Sequence, residues 1–376
     1  VREANVKTFI LTILAALLFV NLPQGMAAEA SNYPAQAGSV VRDQKMTVLQ
    51  RVDGRTAVIR MGMTKASVDR LLGEPEAYRS PDGGDYYMYG DVMAGYMNGR
   101  LALFSLGEAS TLASGVGVNS SLANASKKLG APSVSNTLTY GYRWDAKSAT
   151  LFQLKGTQEL QRYAGRSDFY LLELSVNGLG DMYGIQLVRG DYAISSMERV
   201  ERNNEALMPT EAAKPITMAD LAVVQEGTQS RVTLGMTRKE AEAVIGMPID
   251  ESLFGITYDG IKVGYRKDRV VALMLQLTEA KTLYKTPRGA GLLTSRTVFE
   301  ALYGQTEYTD ESGLTYILIP EGTEGKLRTS MINSDDQLDI DNKKPAYIIS
   351  TLFTESEGGL LEFLMICDAE YASTGK

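Results

Sequence analysis

Gly62-Met63-Thr64-Lys65, running on to Leu71-Leu72-Gly73-Glu74-Pro75, is the stretch from which the fold is read. It recurs: Gly235-Met236-Thr237-Arg238 runs to Val244-Ile245-Gly246-Met247-Pro248. In both, the opening and closing glycines are eleven residues apart and a proline stands two residues beyond; Gly73 and Gly246 are 173 apart. Two looser copies interleave. Gly117 to Gly130 ends Leu129-Gly130-Ala131-Pro132, and Gly291 to Gly304 ends Leu302-Tyr303-Gly304 without the proline. Each spans thirteen residues, and Gly130 and Gly304 are 174 apart. Two landmarks thus give nearly one period, and the order short, long, short, long marks a duplication of a unit that is itself repeated.

Each glycine-to-glycine segment reads as a short helix. Thr64, Ser121, Thr237 and Ser295 all stand nine residues before the closing glycine, where a hydroxyl can accept the orphan N–H groups of a first turn. Thr237 with Glu240 makes a capping box. Val68, Leu71 and Leu72 fall at i, i+3, i+4, as do Ala241, Val244, Ile245 and Phe299, Leu302, Tyr303, giving one narrow apolar stripe per helix. The closing glycine supplies a left-handed C-terminal residue and the proline stops the helix.

Strands follow. Tyr86 to Tyr89, Val92 to Met97 and Arg100 to Leu106 are separated by Gly90-Asp91 and Asn98-Gly99; Leu253 to Tyr258, Ile261 to Arg266 and Arg269 to Leu277 are separated by Asp259-Gly260 and Lys267-Asp268. Such dipeptides between apolar runs signal hairpins. The flanks repeat as well: Gly95-Tyr96 and Gly264-Tyr265, Phe169-Tyr170-Leu171-Leu172 and Ala346-Tyr347-Ile348-Ile349, Asp191-Tyr192-Ala193 and Glu370-Tyr371-Ala372. The expected class is therefore α+β, with tandem helix-on-antiparallel-meander units in four copies forming a duplicated pair. The first half covers residues 40–194 (short repeat 46–107, long repeat 111–194) and the second 215–374 (short repeat 219–279, long repeat 287–374). The long copies carry insertions near Gly156 to Asp168 and Glu321 to Lys344. Residues 195–214, charged and polar, read as a linker.

Gly-Met-Thr, a short helix ending Leu-Leu-Gly-x-Pro and a Tyr-rich meander resemble the outer-membrane assembly lipoprotein family called SmpA/OmlA or BamE-like. The tandem arrangement resembles the beta-lactamase inhibitory protein fold. The likeness covers about 45 residues per copy, the length of one small helix-and-strand motif. This chain lacks the lipidation Cys of the lipoproteins and has four copies rather than one. The resemblance implies a secreted binding module without catalysis.

The first residues read as a targeting segment. Arg2 and Lys7 precede the twelve-residue apolar run Phe9 to Val20, and Pro23 and Gly25 break it before small residues at Ala28 and Ala30. That is the order of a secretory signal peptide spanning residues 1–28, with cleavage after Ala28 or Ala30. The run is short of the roughly 20 apolar residues a membrane span needs. The expected location is secreted or extracytoplasmic, outside the cell or in the periplasm of a bacterial cell envelope, with no stable membrane insertion after cleavage. The whole chain carries a net charge of −7, which argues against nucleic acid and anionic membrane surfaces as partners.

Histidine is absent and Cys367 is the only cysteine. Ser-His-Asp and Cys-His nucleophile systems, histidine acid–base work and an internal disulfide are thereby removed. Cys367, at the end of an apolar run, reads as a small buried hydrophobe. No catalytic residue, metal ligand set or cofactor motif emerges. Asp335, Asp336, Asp339 and Asp341 lack the glycine and distal glutamate of a calcium loop and read as a solvated loop. Arg189-Gly190-Asp191 spells an adhesion tripeptide but reads as a charged strand end.

Aromatics on the strands are the candidate binding residues. Tyr86, Tyr87 and Tyr89 occupy both faces of one strand, and Tyr140, Tyr142 and Trp144 share a face of another. One sheet face packs on a helix; the other is free to meet a protein partner, and Tyr87, Tyr89, Tyr96, Tyr258 and Tyr265 are the residues expected there. Aromatic burial in a core is the competing reading. Three function classes follow: a protein-binding or inhibitory module acting through exposed sheet faces, a structural or regulatory cell-envelope protein, and a carboxylate-based hydrolase. Exposed aromatic patches, a positively charged or glycan-sized groove, or two carboxylates facing one cleft about 5–9 Å apart would respectively mark them.

Overall fold

The computed structural model describes residues 47–52, 54–130, 134–135, 139–145, 150–152, 169–176, 182–252, 255–276, 280–306, 308–310, 312–321, 326–329, 346–354 and 359–375. The chain divides into two units between Arg199 and Val200. The expected signal segment and the Asp335–Asp341 cluster lie outside the described residues.

In the first unit the elements are β1 (Thr47–Val52), β2 (Arg55–Arg60), α1 (Lys65–Leu72), β3 (Glu76–Arg79), β4 (Asp85–Tyr89), β5 (Val92–Met97), β6 (Arg100–Ser105), β7 (Ser110–Leu112), α2 (Leu122–Leu129), β8 (Val134–Ser135), β9 (Thr139–Asp145), β10 (Thr150–Phe152), β11 (Phe169–Val176) and β12 (Met182–Arg189). Helix α3 (Gly190–Leu207) begins in this unit and ends in the next. The second unit continues with β13 (Ala222–Gln225), β14 (Arg231–Thr233), α4 (Arg238–Ile245), β15 (Asp250–Ser252), β16 (Gly255–Tyr258), β17 (Ile261–Arg266), β18 (Arg269–Gln276) and β19 (Tyr284–Lys285). After these come α5 (Arg296–Tyr303), β20 (Tyr308–Thr309), β21 (Gly313–Glu321), β22 (Lys326–Thr329), β23 (Tyr347–Phe353), β24 (Leu361–Asp368) and α6 (Ala369–Thr374).

The described strands form four antiparallel sheets, two per unit. In the first unit a three-stranded sheet has the order β2-β1-β7. A nine-stranded sheet has the order β10-β9-β11-β12-β6-β5-β4-β3, with β8 also on β9. In the second, β14-β13-β19 matches the small sheet, and β22-β21-β23-β24-β18-β17-β16-β15, with β20 also on β21, has the same order as the large one.

This overturns the expected fold class. The protein is mostly β, and it is not built of four separate helix-on-meander units. The reason lies at the sheet edges. A free-standing meander exposes a row of unpaired N–H and C=O groups. Here β6 pairs with β12 (Leu103 opposite Val188), and β18 with β24 (Leu273 opposite Ile366). Two edges become one ladder, and short and long copies share a single wide sheet. The division between the two units falls inside the expected linker at 195–214, but α3 occupies most of that segment. Its charged run holds good helix formers, has no proline before Pro209, and buries Ser196 and Val200.

The helices cover one face of each large sheet. Val68 of α1, with Ala125 and Leu129 of α2, joins Ala94, Leu101, Phe104, Leu172, Leu174, Ile185 and Leu187 in one core. In the second unit Ala241 and Ile245 of α4, with Phe299 and Tyr303 of α5, join Ile256, Val263, Leu273, Leu364 and Ile366. Full burial of a side chain such as Phe299 is worth roughly 1.5–3 kcal/mol.

All four helices start as the sequence predicts. Thr64, Ser121, Thr237 and Ser295 accept from the amides of Ser67, Asn124, Glu240 and Val298, and the Thr237–Glu240 capping box is present. Their closing glycines depart from expectation. Gly73, Gly130, Gly246 and Gly304 have φ between 84° and 92°, but ψ lies near 180° (−172°, −170°, −160° and 175°). That is not the left-handed helical basin but the extended region at positive φ that is essentially glycine-only. The residue turns the chain out of the helix.

Candidate functional site

The five candidate tyrosines fall in two groups, one per unit, and the hairpins place them. Asn98-Gly99 (φ 51° and 71°) and Lys267-Asp268 (φ 50° and 61°) make the tight turns that set β5 on β6 and β17 on β18. Tyr87 and Tyr89 share one face of β4 by alternation, and Tyr87 stands opposite Ala94, a core residue of the helix-covered face. The expectation that these tyrosines lie on a free sheet face is therefore corrected. Tyr89 and Tyr258 are 5% and 1% exposed. Tyr87, Tyr96 and Tyr265 are half-buried against the same cores.

Their hydroxyls run to carboxylates on the helices. Tyr89 donates to Asp69 Oδ1 at 2.6 Å and lies 2.8 Å from the Tyr96 hydroxyl. Since Tyr89 spends its one proton on Asp69, Tyr96 donates to Tyr89. Lys65 Nζ holds the same carboxylate from one helical turn away, at 3.0 Å to both oxygens, and sits 4.7 Å from the centre of the Tyr87 ring. Tyr87 meets Tyr96 edge-on with ring centres 5.5 Å apart.

The second unit repeats the arrangement with longer side chains. Tyr258 donates to Glu242 Oε1 at 3.0 Å, and Tyr265 stands 3.2 Å from Tyr258. Arg238 Nε binds Glu242 Oε1 at 2.7 Å and lies 5.6 Å from the Tyr265 ring centre. Lys-Asp has become Arg-Glu, and each acid still reaches both its helical cation and the buried phenol.

Protonation is fixed by these contacts. Burial alone would raise the Asp69 pKa, but the Tyr89 hydroxyl and Lys65 outweigh it and the value is lowered. Glu242 is lowered chiefly by Arg238. Burial raises all four phenols, with Tyr96 pushed up to about 12. The carboxylates stay charged and the phenols stay neutral near pH 7, so neither kind of group is poised to exchange a proton there. Each cluster clasps helix to sheet and leaves a half-exposed rim of one aromatic ring beside one cation.

Lys65, Asp69, Arg238 and Glu242 were missed at the level of sequence. Their signal was available: a cation and an acid four apart on a helix, recurring with the 173-residue offset of the closing glycines.

The opposite sheet face is occupied as well. Leu103, Ser105, Leu171, Glu173, Gln186 and Val188 are all buried there in the first unit. A tyrosine ring packs over a glycine in each unit, Tyr192 on Gly95 and Tyr371 on Gly264. Tyr86 stacks on Tyr78 at 5.7 Å. Asp82, in the turn between β3 and β4, accepts from Ser196 Oγ at 2.5 Å, Arg199 Nη2 at 2.6 Å and the Gly84 amide at 2.8 Å.

Other sequence candidates resolve simply. Arg189 is buried and forks onto its neighbour Asp191 (Nε–Oδ1 2.7 Å, Nη2–Oδ2 2.6 Å), so the adhesion tripeptide is folded onto itself. Cys367 is fully buried, and burial pushes its thiol up to about 12. Tyr140, Tyr142 and Trp144 lie on β9, and their side chains lie outside the described set. Among the described residues no group of three or more Cys, Asp or Glu side chains could hold a metal ion. None of the described helices is long and apolar enough to cross a membrane, which says nothing of a β-barrel.

No family model matches this chain, and no curated protein matches it. Among solved structures, a chain from Bacteroides fragilis provisionally described as an outer membrane protein aligns over 87% of this chain and 97% of its own. At 9% identity and a TM-score of 0.09, that alignment carries no argument about fold or function.

Proposed function

We propose that the chain is an extracytoplasmic binding protein that takes a protein ligand and performs no catalysis, with the tyrosine–cation rims as contact points. The observation that carries this reading is that each unit sets a tyrosine ring beside its helical cation, Tyr87 (edge-on to Tyr96) by Lys65 in the first and Tyr265, the counterpart of Tyr96, by Arg238 in the second. An aromatic ring with a polar tip next to a cation suits contact with protein, and a ring already half-packed loses little further entropy on binding. Two such rims on one chain offer a route to avidity. The signal-like segment of residues 1–28 supports the location. The N-terminal sequence of the protein recovered from outside the cytoplasm should begin at Glu29 or Ser31.

The test is comparative capture from the source organism's envelope fraction, with residues 31–376 as bait beside the same chain carrying Tyr87→Ala and Tyr265→Ala. A protein retained by the first and lost by the second supports the rims, provided both baits melt alike. Identical retention overturns them.

A further inference from the structure

The two large sheets end in corresponding edge strands that are guarded differently. In the first unit β3 pairs with β4 and with no other described strand. The chain leading into it reads Gly73-Glu74-Pro75-Glu76, both glutamates are exposed, and Arg79 at its far end is exposed too. Charged side chains of this kind keep a sheet edge from pairing with another chain. In the second unit β15 pairs with β16 and with no other described strand. The chain leading into it reads Gly246-Met247-Pro248-Ile249. Met247 is 81% exposed and Ile249 68% exposed, more than any other large apolar side chain among the described residues. At the same steps from the closing glycine, glutamates in one unit are thus apolar residues in the other, and where the first edge carries charges of both signs, those of β15 are acidic only.

The edge also carries a sign. Asp250 and Glu251 of β15 are exposed. They stand opposite Thr257 and Ile256, so Glu251 shares the face of the buried Ile256 and Asp250 takes the other face. An added strand would meet a negative charge on each face beside two apolar side chains. A second copy of this chain is disfavoured as occupant, because symmetric pairing would set Asp250 and Glu251 against themselves.

We propose that β15 receives an extended segment of a protein partner as an added strand, with Lys or Arg opposite Asp250 and Glu251 and apolar side chains against Met247 and Ile249. Main-chain hydrogen bonds supply the affinity of such an addition and alternate side chains its specificity. This surface is separate from the tyrosine rims, and the inference holds or fails without them.

The test uses residues 31–376 and three blocked peptides of about ten residues, the length of a generous strand. One carries a central Lys-Lys pair, one Lys for each face, flanked on both sides by Val; one has Glu-Glu in place of that pair; and one is the Val–Lys peptide with alternate amides N-methylated. Fluorescence anisotropy should show saturable binding of the Val–Lys peptide and binding of the other two weaker by about tenfold or more. Met247→Glu with Ile249→Glu, which writes the first unit's residues onto this edge, should give the same loss with an unchanged melting temperature. Tyr87→Ala with Tyr265→Ala should bind the Val–Lys peptide as the parent does. Undiminished binding to the glutamate variant, equal binding of the N-methylated peptide, loss in the tyrosine variant, or no binding of any peptide overturns the proposal.

Discussion

The ring of Tyr192 occupies the space a side chain on Gly95 would need: a Cβ there would stand 2.6 Å from the Tyr192 hydroxyl oxygen and 2.9 Å from its Cζ. Tyr371 does the same at Gly264, 2.5 Å from its Cε2. Both glycines sit at a register shift that precedes a candidate tyrosine, Tyr96 or Tyr265. Gly95→Ala should therefore destabilise the first unit by about 1–3 kcal/mol through overpacking. Combined with Tyr192→Ala, it should cost less than the two single changes added together, because the second change removes the clash. Urea denaturation of the three variants measures this; strict additivity would separate the pair.

The closing glycines test a different cause. A Cβ at Gly73 or Gly246 would meet no atom within 4 Å, so no clash arises there. The cost lies in the backbone, which at positive φ and extended ψ admits glycine alone. Gly73→Ala and Gly246→Ala should each destabilise by about 1–3 kcal/mol. Melting curves indistinguishable from the parent would count against the dihedral argument.

The tyrosine–carboxylate clasps should behave alike in the two units. Tyr89→Phe and Tyr258→Phe each delete a hydrogen bond to a charged group without changing ring packing. A loss of about 1–2 kcal/mol is expected for each, at the lower end for such bonds because the carboxylates are partly solvated. Thermal melts with effects of opposite sign in the two units would break the equivalence of the clusters.

Asp82 supplies an acid-sensitive tie. Burial by itself would raise its pKa, but Ser196, the Gly84 amide and Arg199 outweigh burial and lower it. A carboxylate whose folded-state pKa is lowered stabilises fully above its ordinary value of about 3.9 and loses that contribution as the pH falls through the folded value. Asp82→Asn should destabilise by about 2 kcal/mol near neutrality, where it leaves Arg199 without its charge partner. The gap from the parent should narrow as the pH is lowered from about 6 to about 3. A gap that stays constant across that range would remove Asp82 from the acid response.

What could be read from the sequence was local. Thr64, Ser121, Thr237 and Ser295 announced the helix starts because a cap involves residues three apart, and Asn98-Gly99 announced a hairpin because a two-residue turn carries its own signature. Gly95-Tyr96 and Asp191-Tyr192-Ala193 were visible as repeated strings, but nothing local says that Tyr192 lies on Gly95. The face of the candidate tyrosines was misjudged for a related reason. Alternation shows that Tyr87 and Tyr89 share a face but not which face the helix covers. That choice is settled only when Val68 of α1 packs on the sheet, which also brings Asp69 and Lys65 to Tyr89 and Tyr87. The merged sheets were out of reach for the same cause, since the pairing of β6 with β12 leaves no trace in the spacing of either strand.

That pairing has a consequence for how the chain comes to be folded. Ser105 on β6 pairs with Gln186 on β12, a residue made 81 positions later; Ala272 pairs with Cys367, 95 positions later. Synthesis runs from the N-terminus, so β4, β5 and β6 can close as hairpins while the future neighbour of β6 does not yet exist. In that interval Leu101, Ala102, Leu103 and Phe104, all fully buried in the finished sheet, lie along an open ladder. Contacts between strands so distant in sequence form slowly relative to hairpins. Each unit therefore passes through a stage in which the unfinished edge must be closed by its own late strands before another chain closes it instead.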